Sequence, residues 1–315
     1  MDSKNFIDVE IVMKECGLDS YTDINAVLQN LQQLKTKYNQ YELTQIYNSL
    51  LTSANDFKIL KAVIALADEN RDSSTLGPLV DLLLMRNLPT DADKDDVINL
   101  RVLCAKSIAN HKDTSIVGAL LYCLNDKNEH YKVRLACADA LGKIGDKYAV
   151  TSLINLIQDE DEKSVYLKES AASALGVIGD MRAIDPLVSI LESKQGLLDK
   201  FSFLKERVIE ALGHLSVHDR KIIKALKKSL YDRSPIVRID AIEAIMNSGE
   251  DDAADVIRPC LKDDNEEVQK NALIALYNLE GRDVLDNVLM DNQYSLFLKQ
   301  EAQDLIDEYE DYEDE

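Results

Sequence analysis

The sequence predicts an all-α chain, a right-handed α-solenoid of about eight helical hairpins with an N-terminal helical cap. Three observations predict it. An apolar pattern fourteen residues long recurs at steps of 30 to 42 residues, a shorter apolar-periodic stretch precedes most copies, and only 5 Pro and 11 Gly interrupt 315 residues.

Residues 1–40 lack the recurring pattern. They carry an apolar run at Ile24, Val27, Leu28, Leu31 and Leu34, the single-faced spacing of a helix, and are read as a cap over the first layer's open edge. The array is assigned to residues 41–310. A weak copy, KILKAVIALADENR, begins at Lys58, and NLPTDADKDD (Asn87 to Asp96) reads as a polar loop within one hairpin. Clear copies follow: LRVLCAKSIANHKD from Leu100, VRLACADALGKIGD from Val133, LKESAASALGVIGD from Leu167, LKERVIEALGHLSV from Leu204, VRIDAIEAIMNSGE from Val237 and VQKNALIALYNLEG from Val268. A degenerate copy starts at Leu298, and residues 311–315 close the chain as an acidic tail.

Within a copy the first, fifth, eighth, ninth and twelfth positions are apolar or small, as in Val133, Cys137, Ala140, Leu141 and Ile144, which is one face of an inner helix. The shorter stretches ahead, such as Ile184 to Leu191 and Ile222 to Leu230, supply outer helices. Neither helix buries its stripe alone, so hairpins must stack. Gly145 and Gly179 are expected as left-handed helix ends, with Asp146 and Asp180 as the next N-caps. Gly142, Gly176 and Gly213, inside inner helices, are expected where neighbouring helices approach closely.

The motif ALGxIGDxxA, complete in Ala140 to Ala149 and Ala174 to Ala183, resembles the short HEAT-like repeat first named after phycobilisome lyases. The resemblance spans roughly residues 42–310 and implies an α-solenoid used for binding. Such repeats serve as adaptors, inhibitors, assembly factors and bilin lyases alike, so the resemblance leaves the function open. HEAT repeats also share a turn Asp six residues ahead of a basic residue at the second inner-helix position. Asp232 with Arg238 and Asp95 with Arg101 match, and Asp199 precedes Lys205. Arg134, Lys168 and Lys299 hold the basic position and Gln269 breaks the row. A row of bases at repeat spacing could be an anion-binding stripe, but the expectation is a ladder in which they pair with turn carboxylates and carbonyls along the array.

The composition narrows the chemistry. A formal net charge of −21 disfavours nucleic acid and anionic membrane partners. Five Cys without CxxC spacing are expected as buried, reduced core residues, Cys137 among them, and the absence of a leader or a long apolar segment points to the cytoplasm. No metal or cofactor is expected. The HEAT-type deoxyhypusine hydroxylases resemble one another in His-Glu pairs that this chain lacks, and the HEAT-like DNA glycosylases in a basic groove that it does not share. His111 is expected as a hydrogen-bonded core histidine, and His214 with His218 as no metal pair. Tyr131, Tyr166, Phe201, Phe203 and Tyr294 lead into inner helices and are expected to pack on the next hairpin.

What remains is an acidic strip at the third, fourth and seventh inner-helix positions, which includes Asp139, Glu169, Glu206, Glu210, Asp240 and Glu243. Solvation of an exposed face explains these residues equally well. The leading expectation is a non-enzymatic scaffold or adaptor gripping a basic protein or peptide in an acidic concave groove, in a heteromeric complex. The alternatives are a subunit of a phycobilin lyase, with a bilin in the groove, and an immunity protein neutralising a basic toxin.

Overall fold

The computed structural model describes residues 9–17, 24–54, 56–85, 93–192, 202–215 and 219–313. The described residues are helical or irregular, with no strand among them. Two compact units divide within one helix, residues 1–152 and 153–315.

In the first unit the helices are α1 (Val9–Glu15), α2 (Ile24–Lys37), α3 (Gln40–Ser53), α4 (Phe57–Asn70), α5 (Leu76–Leu83), α6 (Lys94–His111), α7 (Val117–Asn125), α8 (Tyr131–Ile144) and the start of α9 (Val150–Gln158). Even-numbered helices pack in sequence, α2 on α4, α4 on α6 and α6 on α8, while α5 and α7 back them. The N-terminal segment follows the same alternation, α1 against α3 and α2 against α4. The second unit repeats the scheme with α10 (Val165–Ile178), α11 (Ile184–Glu192), α12 (Ser202–Leu215), α13 (Arg220–Ser229), α14 (Pro235–Met246), α15 (Ala253–Ile257), α16 (Glu266–Glu280), α17 (Asp283–Met290) and α18 (Leu296–Glu313). There α10, α12, α14, α16 and α18 stack in order.

The fifth inner-helix position shows why the stack forms. Cys104, Cys137, Ala171, Val208, Ala241, Ala272 and Ala302 are all fully buried, so one small or slim side chain per hairpin lies where consecutive layers meet. Gly145 and Gly179 end α8 and α10 at φ +79° and +72°, and Asp146 and Asp180 then accept from the amides of Tyr148 and Arg182. The expected loop at 87–96 is shorter than its composition implies. Asp93 caps the amide of Asp95 and α6 begins at Lys94, while residues 86–92 lie outside the described residues.

Gly176 meets the close-approach expectation, because a Cβ built there would lie 2.7 Å from Ala211 Cα. Gly213 does not, since nothing lies within 4 Å of its position. Gly142 is buried in α8.

The basic row exists, is buried at Arg101, Arg134, Lys168, Lys205 and Arg238, and pairs with carboxylates and carbonyls along the array as expected. Each described rung reaches back to a loop carbonyl or forward to an acid of the following hairpin. Arg101 Nε donates to the Leu83 carbonyl at 2.7 Å and its Nη1 to Glu129 Oε1 at 2.9 Å, so Asp95 is not the partner. Arg134 Nε donates to the Leu124 carbonyl and Lys168 Nζ to that of Asp159. Lys205 Nζ reaches Asp232 at 2.6 Å; Asp199 lies outside the described residues. Arg238 takes the carbonyl of Asp232, not its carboxylate, and pairs with Asp263 and Asp264. Gln269 does not break the row: Nε2 donates to the Asp263 carbonyl at 2.6 Å, and Oε1 accepts from Ser295 Oγ at 3.0 Å. The position therefore selects a long side chain with a donor at its end more than a charge.

Candidate partner-binding groove

Two consecutive inner helices of the second unit, α12 and α14, enclose an open depression of about 570 Å³. Helical spacing brings Glu206 and Glu210 to one wall and Asp240 and Glu243 to the other. Asn247 and His214 lie towards the helix C-termini, and Gly213, with no side chain and no near neighbour, leaves that end open. Four of the six expected residues are thus gathered in one place. Glu169 stands on α10, with its Oε1 3.6 Å from Arg207 Nε. Asp139 is exposed on α8 in the first unit and is not among the residues lining the depression.

Arg207 is the residue that the acidic pattern overlooked. It occupies the fourth position of its helix, as regular a groove position as Asp240, and it also pairs with Glu210. Four carboxylates thus face one guanidinium. The imbalance is felt at Asp240, half-buried, whose pKa is pushed up to about 6 by burial first and by Glu206, Glu243 and Glu210 next, with Arg207 opposing.

Of the aromatic residues, Tyr166 and Phe203 pack as expected, whereas Tyr131 is exposed and its ring contact is with its own neighbour His130. Tyr166 stacks on Phe203 of the following hairpin at 5.9 Å and Lys262 lies over Tyr294, while Phe201 lies outside the described residues. His111 departs from expectation: its buried Nε2 has no hydrogen-bond partner among the described residues, and burial lowers its pKa, favouring the neutral ring. His214 ends its helix and His218 lies outside the described residues. All five cysteines are buried and none is in a disulfide. Cys137 donates towards Cys123, and that hydrogen bond holds the Cys123 thiol below its usual pKa while raising that of Cys137. Among the described residues no group of three or more His, Cys, Asp or Glu is placed to hold a metal ion, and no helix is long and apolar enough to cross a membrane.

Comparison with known proteins agrees with this architecture. Among curated proteins none matches the chain. Among solved structures, Kap121p is similar over 96% of this chain and 38% of its own, at 14% identity and a TM-score of 0.54. The CpcE–CpcF complex of phycocyanin lyase from Nostoc sp. is similar over 84% of this chain and 94% of that one, at 20% identity and a TM-score of 0.46. Human deoxyhypusine hydroxylase is similar over 86% and 97%, at 15% identity and a TM-score of 0.37. At 14% identity the likeness to Kap121p is one of fold alone. The family of HEAT repeats matches residues 90–167, 129–203 and 195–277, more than half of the sequence, so this chain belongs to the HEAT-repeat family, whose stacked hairpins form protein-interaction solenoids.

Proposed function

We propose that the chain is a protein-binding scaffold that takes a basic segment of its partner into the depression between α12 and α14. The observation that carries this reading is Asp240. A solvated acidic face keeps its carboxylates apart in water, whereas here one is half-buried among three others and held near a pKa of about 6. One guanidinium, Arg207, stands against four carboxylates, and a lysine or arginine side chain entering between Glu206, Asp240 and Glu243 supplies further positive charge.

Binding of a lysine-rich peptide tests this. Glu206→Lys, Glu210→Lys and Glu243→Lys together are expected to weaken it by about a hundredfold at low salt and to flatten its salt dependence. Affinity should also rise as pH increases through about 6, because the entering cation favours ionised Asp240, and Asp240→Asn should abolish that rise. Equal affinity in the triple variant, with no pH dependence, would rule the reading out.

Stability has the opposite sign. The folded value of Asp240 lies above the ordinary 3.8, so the folded state holds the extra proton between about pH 4 and about pH 6. The free protein therefore loses stability as pH rises through that window. Asp240→Asn should remove this part of the slope in urea titrations across it.

A further inference from the structure

The geometry points to a second docking surface of opposite sign, on α13, that fits a short acidic peptide segment bearing an aromatic side chain. This helix, RKIIKALKKS, holds five basic residues and no acid in a chain of net charge −21. Arg220, Lys224, Lys227 and Tyr231 follow the i, i+4, i+7, i+11 spacing of one helical face. With Ile223, Lys228 and Glu250 they line an open pocket of about 460 Å³ whose apolar lining is Ile223 and Tyr231, the latter 79% exposed.

Solvation does not require this composition. The equivalent helices α7 and α9 carry no charged side chain and α11 carries two acids. The arrangement also opposes helix stability, since like charges stand four apart at Arg220, Lys224 and Lys228, and Arg220 and Lys221 occupy the first turn, where the helix dipole disfavours cations. Neighbouring acids answer part of the charge: Lys221 pairs with Asp185, Lys227 with Asp252 and Lys228 with Glu192. Arg220 and Lys224, both exposed, form no ion pair with a described residue.

Length and surroundings select the ligand. Ten helical residues span about 15 Å, and Asp185, Glu192, Glu250 and Asp252 bound the patch. An extended polyanion such as a nucleic acid would run from the cations onto those acids, whereas a few peptide carboxylates fit between them. Ile223 and the exposed ring of Tyr231 offer the ligand's aromatic side chain an apolar contact.

The probe is a fluorescently labelled nonapeptide of glutamates with one central tyrosine, titrated into the intact chain. It is expected to bind at low salt, with affinity falling at least about tenfold in Arg220→Gln/Lys224→Gln and several-fold when its tyrosine is replaced by alanine. Glu206→Gln/Glu210→Gln/Glu243→Gln in the α12–α14 groove, which builds no basic cluster, should change the affinity far less than the double variant does, which separates this surface from that one. Because Arg220 and Lys224 are exposed, the double variant should keep the thermal unfolding of the parent, read in parallel. No binding, equal binding of the corresponding glutamine peptide, or an unchanged affinity in a folded double variant overturns the proposal. Tighter Arg220- and Lys224-dependent binding of phosphatidylserine vesicles or of a single-stranded oligonucleotide overturns it as well, in favour of those ligands.

Discussion

Replacing Arg101 with methionine is expected to lower the free energy of unfolding by about 4 kcal/mol, because it strands a buried charge rather than merely removing a contact. Arg101 is 3% exposed and Glu129, its carboxylate partner, has a side chain only 11% exposed. Without the guanidinium, Glu129 keeps its charge in a poorly hydrated place and the Leu83 carbonyl loses its donor. Glu129→Gln in the same chain should recover part of the loss, so the double variant should be less destabilised than the sum of the single ones. Urea denaturation followed by circular dichroism measures both. Removing Lys221, whose pair with Asp185 is largely exposed, should leave the same curve essentially unmoved.

The second large effect is expected at Gly176. Alanine there places its Cβ 2.7 Å from Ala211 Cα and 2.9 Å from its Cβ, which forces α10 and α12 apart at their closest approach. The expected cost is about 3 kcal/mol. Ala211→Gly should not rescue it, because the nearer clash is with backbone. Gly213 occupies the same position of the motif one hairpin later, yet alanine meets nothing within 4 Å there and should stabilise the helix by about 1 kcal/mol. Opposite signs at equivalent positions, read by the same denaturation curves, would establish that packing decides the sign.

That contrast also marks how far the sequence could be read. Helical period and turn chemistry operate within a few residues, so inner helices, left-handed glycine ends and aspartate caps were all legible. Gly176 and Gly213 share the string ALG, and what separates them is the distance to another helix, which no local pattern encodes. The ladder was legible in kind, and which turn supplies each carboxylate was hidden for a related reason. The turn aspartate six residues before the base is close in sequence, but at Arg238 it offers its carbonyl, while the carboxylates come from Asp263 and Asp264 of the next hairpin. In the groove, spacing identified Glu206, Glu210, Asp240 and Glu243 but could not show that Arg207 belongs with them or that Asp240 is half-buried. The basic face of α13 was spelled out in RKIIKALKKS and hidden by averaging, since a net charge describes the whole chain and not the helix on which a partner would land.

Gln269 gives the stack an uneven response to acid. Acid that neutralises Asp263, whose pKa is lowered, against the pull of burial, by its bond to Arg238, uncouples that pair and loosens the layers it joins. The tie through Gln269, from the Asp263 carbonyl to the Ser295 hydroxyl, contains nothing that titrates in that range. From α16 to α18 the stack is thus held in two ways, through Gln269, which acid leaves alone, and through the ion pair of Lys270 with Glu301.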